Sequence, residues 1–102
     1  MDWEVHSEAV EEFVRLPEED RELVEEKIEA RKNRDNPILG QRNVGMSYDN
    51  HGEPVHYFKV EEGEKSFRVF FDISENTVVL LGVRERDDDT YFNLREYTKR
   101  MK

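Results

Sequence analysis

Residues 67–83 read FRVFFDISENTVVLLGV, and ten of these 17 residues are large and apolar. Phe67, Val69, Phe71 and Ile73 alternate with Arg68, Phe70 and Asp72, which is the period of a strand with two unlike faces. Ser74-Glu75-Asn76 supplies a turn. Residues 77–83 (TVVLLGV) are then nearly continuous in apolar side chains, as in a central strand buried on both faces. Immediately upstream, residues 55–60 (VHYFKV) predict another strand and EEGEK a turn, so the three strands are expected to form an antiparallel meander carrying the core.

Working outward, Trp3 and Val5 alternate with Asp2, Glu4 and His6 and predict a short N-terminal strand. Ser7 stands where a helix N-cap belongs, and Ala9, Val10, Phe13 and Val14 follow as an apolar stripe of a helix ending near Leu16. Pro17 fits the first position of a second helix, with Glu18, Glu19 and Asp20 at its positive end. Leu23, Val24 and Ile28 give that helix an apolar side as far as about Asn33, and Glu22, Glu25, Glu26 and Glu29 give it a solvated one. Asn36-Pro37 and Gly40 end helical structure, and 34–54 reads as a long loop. After Arg84, the DDDT segment predicts the start of a C-terminal helix running toward Met101. The predicted fold is therefore one α+β domain over residues 1–102, in the order β-α-α-β-β-β-α. An N-terminal strand and a helical hairpin pack on a twisted antiparallel sheet, and the opposite face of the sheet is left partly open.

Composition limits what such a domain binds. Acidic residues number 25 against 16 basic, a formal net charge of -9, so no global positive field exists to hold a polyanion. Leu, Ile, Val and Phe supply 26 of 102 residues, enough for folding rather than disorder. The absence of cysteine removes disulfides, thiolate metal sites and cysteine nucleophiles. Without an apolar leader or spanning run, the expected setting is cytoplasmic, with no membrane partner. The acidity also fits a salt-rich cytoplasm, because the Debye length falls to about 3 Å at 1 M salt and self-repulsion is screened.

Arg68 is expected on the open face of the sheet, with Lys59 and Arg84 on neighbouring strands and Arg86 just beyond. Here the chain resembles the RelE/ParE superfamily of toxins from toxin–antitoxin pairs. The resemblance rests on the WEV strand, AxxxF and LPxxxR in the helices, YFKV, FRVFF, and VVLLGVRERDDDTY, which is similar to the family's VxxVGxRxxxxxY ending. It covers nearly the whole chain in the right order. It implies a RelE-like fold, a small helical antitoxin as partner, and one of two targets: ribosome-bound mRNA, cleaved by RelE-like members, or DNA gyrase, inhibited by ParE-like ones. By motif position it also implies Arg68 and Arg84 as catalytic arginines acting on the RNA phosphate, Tyr91 as a C-terminal catalytic tyrosine, and Lys59 as a basic substrate-binding position.

Such chemistry is physically coherent. Attack by a 2′-OH builds negative charge on the phosphate, which fixed cations stabilise while a base takes the hydroxyl proton. His56, Tyr91, Lys59 and His51 are all candidates for the base, and the sequence does not choose among them; His56 and Tyr91 are counted with the catalytic residues, and Arg86 joins Lys59 as a substrate-binding cation. No cofactor is implied, and Asp87, Asp88 and Asp89 lack the spacing of a metal site. The same three carboxylates repel an RNA backbone, which favours an alternative: a non-catalytic RelE-fold module that binds a protein.

Overall fold

A computed structural model of the chain describes residues 2–33, 38 and 42–101. Five strands form one mixed sheet in the order β1-β5-β4-β3-β2. The strands are β1 (Asp2–Val5), β2 (Val44–Tyr48), β3 (Pro54–Glu62), β4 (Lys65–Ser74) and β5 (Thr77–Glu85), and the helices are α1 (Ser7–Arg15), α2 (Glu18–Lys32) and α3 (Arg95–Arg100). The class is α+β, and the β3-β4-β5 meander is antiparallel as the alternation predicts. Glu75 and Asn76 turn β4 into β5 with positive φ values of 49° and 64°, the geometry of a tight two-residue hairpin loop.

Helices α1 and α2 cover one face. Phe58, Val60, Phe67, Val69 and Phe71 from the meander are buried there against Ala9, Phe13, Leu23, Val24 and Ile28. The predicted α1 stripe divides: Ala9 and Phe13 face the sheet, whereas Val10 and Val14 remain 47% and 61% exposed. The buried guanidinium of Arg31 lies over the Phe58 ring at 4.6 Å, closing the far end of α2 with a cation on an aromatic face.

Several expectations are corrected. The α1 N-cap is His6, whose Nδ1 accepts from Glu8 N at 3.1 Å, and Ser7 is already helical. Pro17 is the N-cap of α2 rather than its first helical residue. The sheet is not wholly antiparallel, because β1 pairs in parallel with β5 from Asp2↔Thr77 to Val5↔Leu80. The stretch expected as one long loop contains β2, paired antiparallel with β3, so the order gains a strand. Its strand signal is weak because Gly45 and Ser47 interrupt the apolar run, and pairing with β3 is what makes it a strand. The breaks assigned to Asn36-Pro37 and Gly40 lie outside the described residues. At the other end, residues 86–94 form successive turns, and the helix begins only at Arg95.

The largest correction concerns the sheet face opposite α1 and α2, which is not open. Leu94 and Tyr97 of the C-terminal segment are buried on Val55, Phe70 and Leu81, with Tyr57, Val79, Tyr91 and Met101 around them. Tyr97 stacks on Phe70 with ring centroids 4.7 Å apart. A β-carbon on Gly82 would lie 2.2 Å from the Tyr97 ring, so only glycine lets the segment approach this closely. A register shift between Phe70 and Phe71 turns Leu81 and Gly82 toward the same cover. Among the described residues no helix is long and apolar enough to cross a membrane.

Candidate functional site

The cross-strand register puts three predicted cations in a row. Lys59 on β3 is opposite Arg68 on β4, and Arg68 is opposite Arg84 on β5. All three project toward the C-terminal segment, whereas His56, three residues before Lys59, faces the helical side and stacks on Phe71 at 5.7 Å. His56 is therefore separated by the sheet from Arg68 and Arg84, with which it was grouped as a catalytic residue and candidate base. His51 lies in the β2–β3 turn, where its N–H donates to Asp49 Oδ1 at 2.8 Å.

Neither arginine is presented to solvent as a free cation. Arg68 is 5% exposed; its Nε donates to Tyr91 Oη at 3.0 Å, and its Nη1 lies 3.1 Å from both Ser66 Oγ and the Phe67 carbonyl. Glu61 Oε1 stands 3.4 Å from the same nitrogen. Arg84 donates from Nε to Tyr97 Oη at 3.0 Å and from Nη1 to the Thr90 and Phe92 carbonyls at 2.9 and 2.5 Å, while Nη2 pairs with Glu96 at 3.2 Å. Two like charges on adjacent strands repel. Here each is neutralised by its own acceptors, and those acceptors hold the turns of residues 86–94 against the sheet.

Around Arg68 a smaller aromatic cluster reaches the surface. The Tyr57 and Tyr91 rings lie 5.4 Å apart, and Arg86 extends over the Tyr91 ring at 5.5 Å. Tyr57 lies across Gly45, where a β-carbon would come within 2.7 Å of its ring. Burial alone would raise the Tyr91 phenol, but interaction with the Tyr57 hydroxyl, the Arg68 hydrogen bond and the charges of Arg68 and Arg86 outweigh it and hold its pKa below the usual tyrosine value. Tyr57 moves the other way, raised first by its interaction with Tyr91 and then by burial. Among the described residues the Lys59 side chain makes no hydrogen bond or ion pair, and the Arg86 guanidinium donates only to the Asp87 carbonyl, at 3.0 Å. The cations available to an outside anion are thus Lys59 and Arg86, not the two arginines favoured by the resemblance.

Two acidic residues that the sequence reading passed over hold the cover in place. Buried Asp49 accepts from Thr98 Oγ1 at 2.6 Å, from Arg95 at 3.3 Å, and from the N–H groups of His51 and Glu53 at 2.8 and 2.9 Å. Burial opposes its ionisation, yet these donors keep its carboxyl well below the usual carboxylate range. Glu12 accepts from Tyr97 Oη at 2.6 Å and from Val83 N at 3.3 Å, and it pairs with Arg100. Arg100 donates in turn to the Leu81 carbonyl at 2.6 Å. β1 stops pairing at Leu80, so Glu12 and Arg100 serve the Leu81 and Val83 backbone groups that a longer β1 would have bonded. Nothing in the residue spacing marks Glu12 for this part. Tyr57 was more legible, because it sits two residues before Lys59 and shares its face. No family model, curated protein or solved structure matches the chain.

Proposed function

We propose that the chain is a RelE-like toxin of a toxin–antitoxin pair, neutralised by a small helical antitoxin, that cleaves ribosome-bound mRNA with Tyr91 as the general base. The observation that carries this reading is the Tyr91 hydroxyl, which accepts from Arg68 at 3.0 Å and has its pKa lowered at a partly exposed position beside two available cations. A phenolate at Tyr91 takes the 2′-OH proton as that oxygen bonds to phosphorus. The P–O5′ bond breaks and O5′ takes a proton from solvent water, leaving a 2′,3′-cyclic phosphate and a 5′-hydroxyl end. Lys59 and Arg86 face the developing charge, and a positioned donor of this kind is typically worth about 3–4 kcal/mol of barrier. Arg68 acts through Tyr91, as a positioning residue that favours the phenolate. Arg84 has a structural part, tying residues 90–96 to β5. With a net charge of -9 the chain binds RNA through few contacts, which suits a substrate already held by the ribosome.

Primer extension in a translation extract tests this across potassium concentrations. New mRNA ends are expected with the native chain, and Tyr91→Phe is expected to reduce them by about 100-fold or more, the usual worth of a general base. The cleavage rate is expected to rise with pH and level off below the ordinary phenol value of about 10, because the lowered pKa supplies the base form earlier. Absence of cleavage at every potassium concentration overturns the proposal.

A second reading has its own support. Arg68 and Arg84 are saturated by internal acceptors, as befits a RelE-fold module that binds a protein without chemistry, DNA gyrase being the ParE-like target. Inhibition of supercoiling without RNA cleavage would decide for it.

A further inference from the structure

The two edges of the sheet differ in charge. β1 presents Asp2 and Glu4 at one edge, both exposed. Carboxylates on an edge strand discourage pairing with another chain. The other edge, β2, reads VGMSY and carries no charge, in a chain of which 40% of residues are charged. Among the described residues nothing pairs with its outer side. Met46 and Tyr48 are 45% and 57% exposed and belong to neither buried apolar cluster.

The backbone defines what this edge accepts. Asn43 O receives the Lys59 N–H at 2.8 Å and Asp49 N donates to Glu53 O at 2.9 Å, so these residues direct their groups inward to β3. Antiparallel alternation makes Gly45 and Ser47 inward as well. The N–H and C=O groups of Val44, Met46 and Tyr48 therefore point outward, and their side chains share one face. An antiparallel partner centred on Met46 would set Met46 against Met46, and Val44 against Tyr48 in both directions. All three pairs are apolar and all have hydrogen-bonding groups in register.

We propose that β2 is a self-association edge, joining two copies of this chain about a two-fold axis at Met46 into one continuous ten-stranded sheet. An isologous contact needs a self-complementary strip, and β2 satisfies that condition in hydrogen bonding and apolar pairing and brings no like charges together, whereas β1 would bring Asp2 and Glu4 against their own copies. Five residues make a small interface, so association is weak and depends on concentration. Salt strengthens it, because two chains of charge -9 repel over a Debye length of about 10 Å at 0.1 M and about 3 Å at 1 M.

Sedimentation equilibrium tests the proposal on the full chain. The apparent mass is expected to rise from 12.3 kDa toward twice that value with protein concentration, and at lower concentration in about 1 M KCl than in about 0.1 M. Met46→Lys places two like charges at the axis and is expected to weaken association by about tenfold or more, with the circular dichroism of the monomer unchanged. The chain has no cysteine, so Met46→Cys and Glu4→Cys each carry a unique thiol for a short bis-maleimide. Crosslinked dimer is expected from the first and not from the second. Monomer at millimolar concentration in high salt, crosslinking through position 4 instead, or full association of Met46→Lys would each overturn the proposal.

Discussion

The two faces of this sheet are covered by opposite kinds of chemistry. On one face α1 and α2 bury a continuous apolar core from Ala9 to Val83, with Phe58, Phe67 and Phe71 fully enclosed. On the other, a C-terminal segment with a shorter apolar list is held down by Arg84, Asp49, Glu12 and Arg100. The first cover depends on area removed from water and is nearly indifferent to pH. The second depends on ionised groups whose partners are specific atoms. The candidate site is built partly from the second cover, through Tyr91 and Arg86, so whatever disturbs these polar anchors also disturbs the site.

Four experiments press on this contrast. Phe71→Ala on the helical side is expected to cost about 3–5 kcal/mol in urea unfolding, the usual range for an emptied aromatic site, and to loosen the whole chain together. A smaller cost than that of the polar-face variants would reverse the comparison. Gly82→Val drives a side chain into Tyr97 and is expected to cost about 1–3 kcal/mol, with hydrogen exchange rising in residues 90–101 well before the meander.

Acid offers the third test. The Asp49 pKa is lowered on folding, so its stabilisation is present above the ordinary carboxylate value and is lost as pH falls below it toward the folded value. The amides of α3 are therefore expected to lose protection in acid while those of β4 keep theirs. Asp49→Asn should show the same loosened α3 at neutral pH with little further acid response. Equal loosening of both faces would remove the distinction. The smallest effect is expected from Arg68→Ala, read by ultraviolet titration of Tyr91. Removal of the guanidinium that helps lower the phenol should move its titration upward, and an unmoved titration would detach Arg68 from the proposed base.

How much of this was legible follows from the period of each element. Phe67, Val69 and Phe71 declare their face because alternation is a local property of a strand, and the register of three adjacent strands aligns Lys59, Arg68 and Arg84 as that alternation allows. The C-terminal cover was not legible as a cover. Tyr91, Leu94 and Tyr97 spread over turns and a six-residue helix, so no single period collects them. His56 was placed among the candidates by residue type, and its parity relative to Lys59 would have assigned it to the other face. β2 was missed because it is a strand through its partner rather than its own composition.

By itself the sequence determined the α+β class, the two N-terminal helices and the antiparallel meander, since each rests on repeating apolar positions within one element. Only the tertiary structure decided that the second face is closed, that Arg68 and Arg84 turn inward, and that Asp49 and Glu12 clamp the chain's end. Those contacts join residues 12 with 100, 49 with 98 and 68 with 91. A hydrogen bond between such distant residues is specified by where the backbone brings them, and no pattern of neighbours in the chain carries that information.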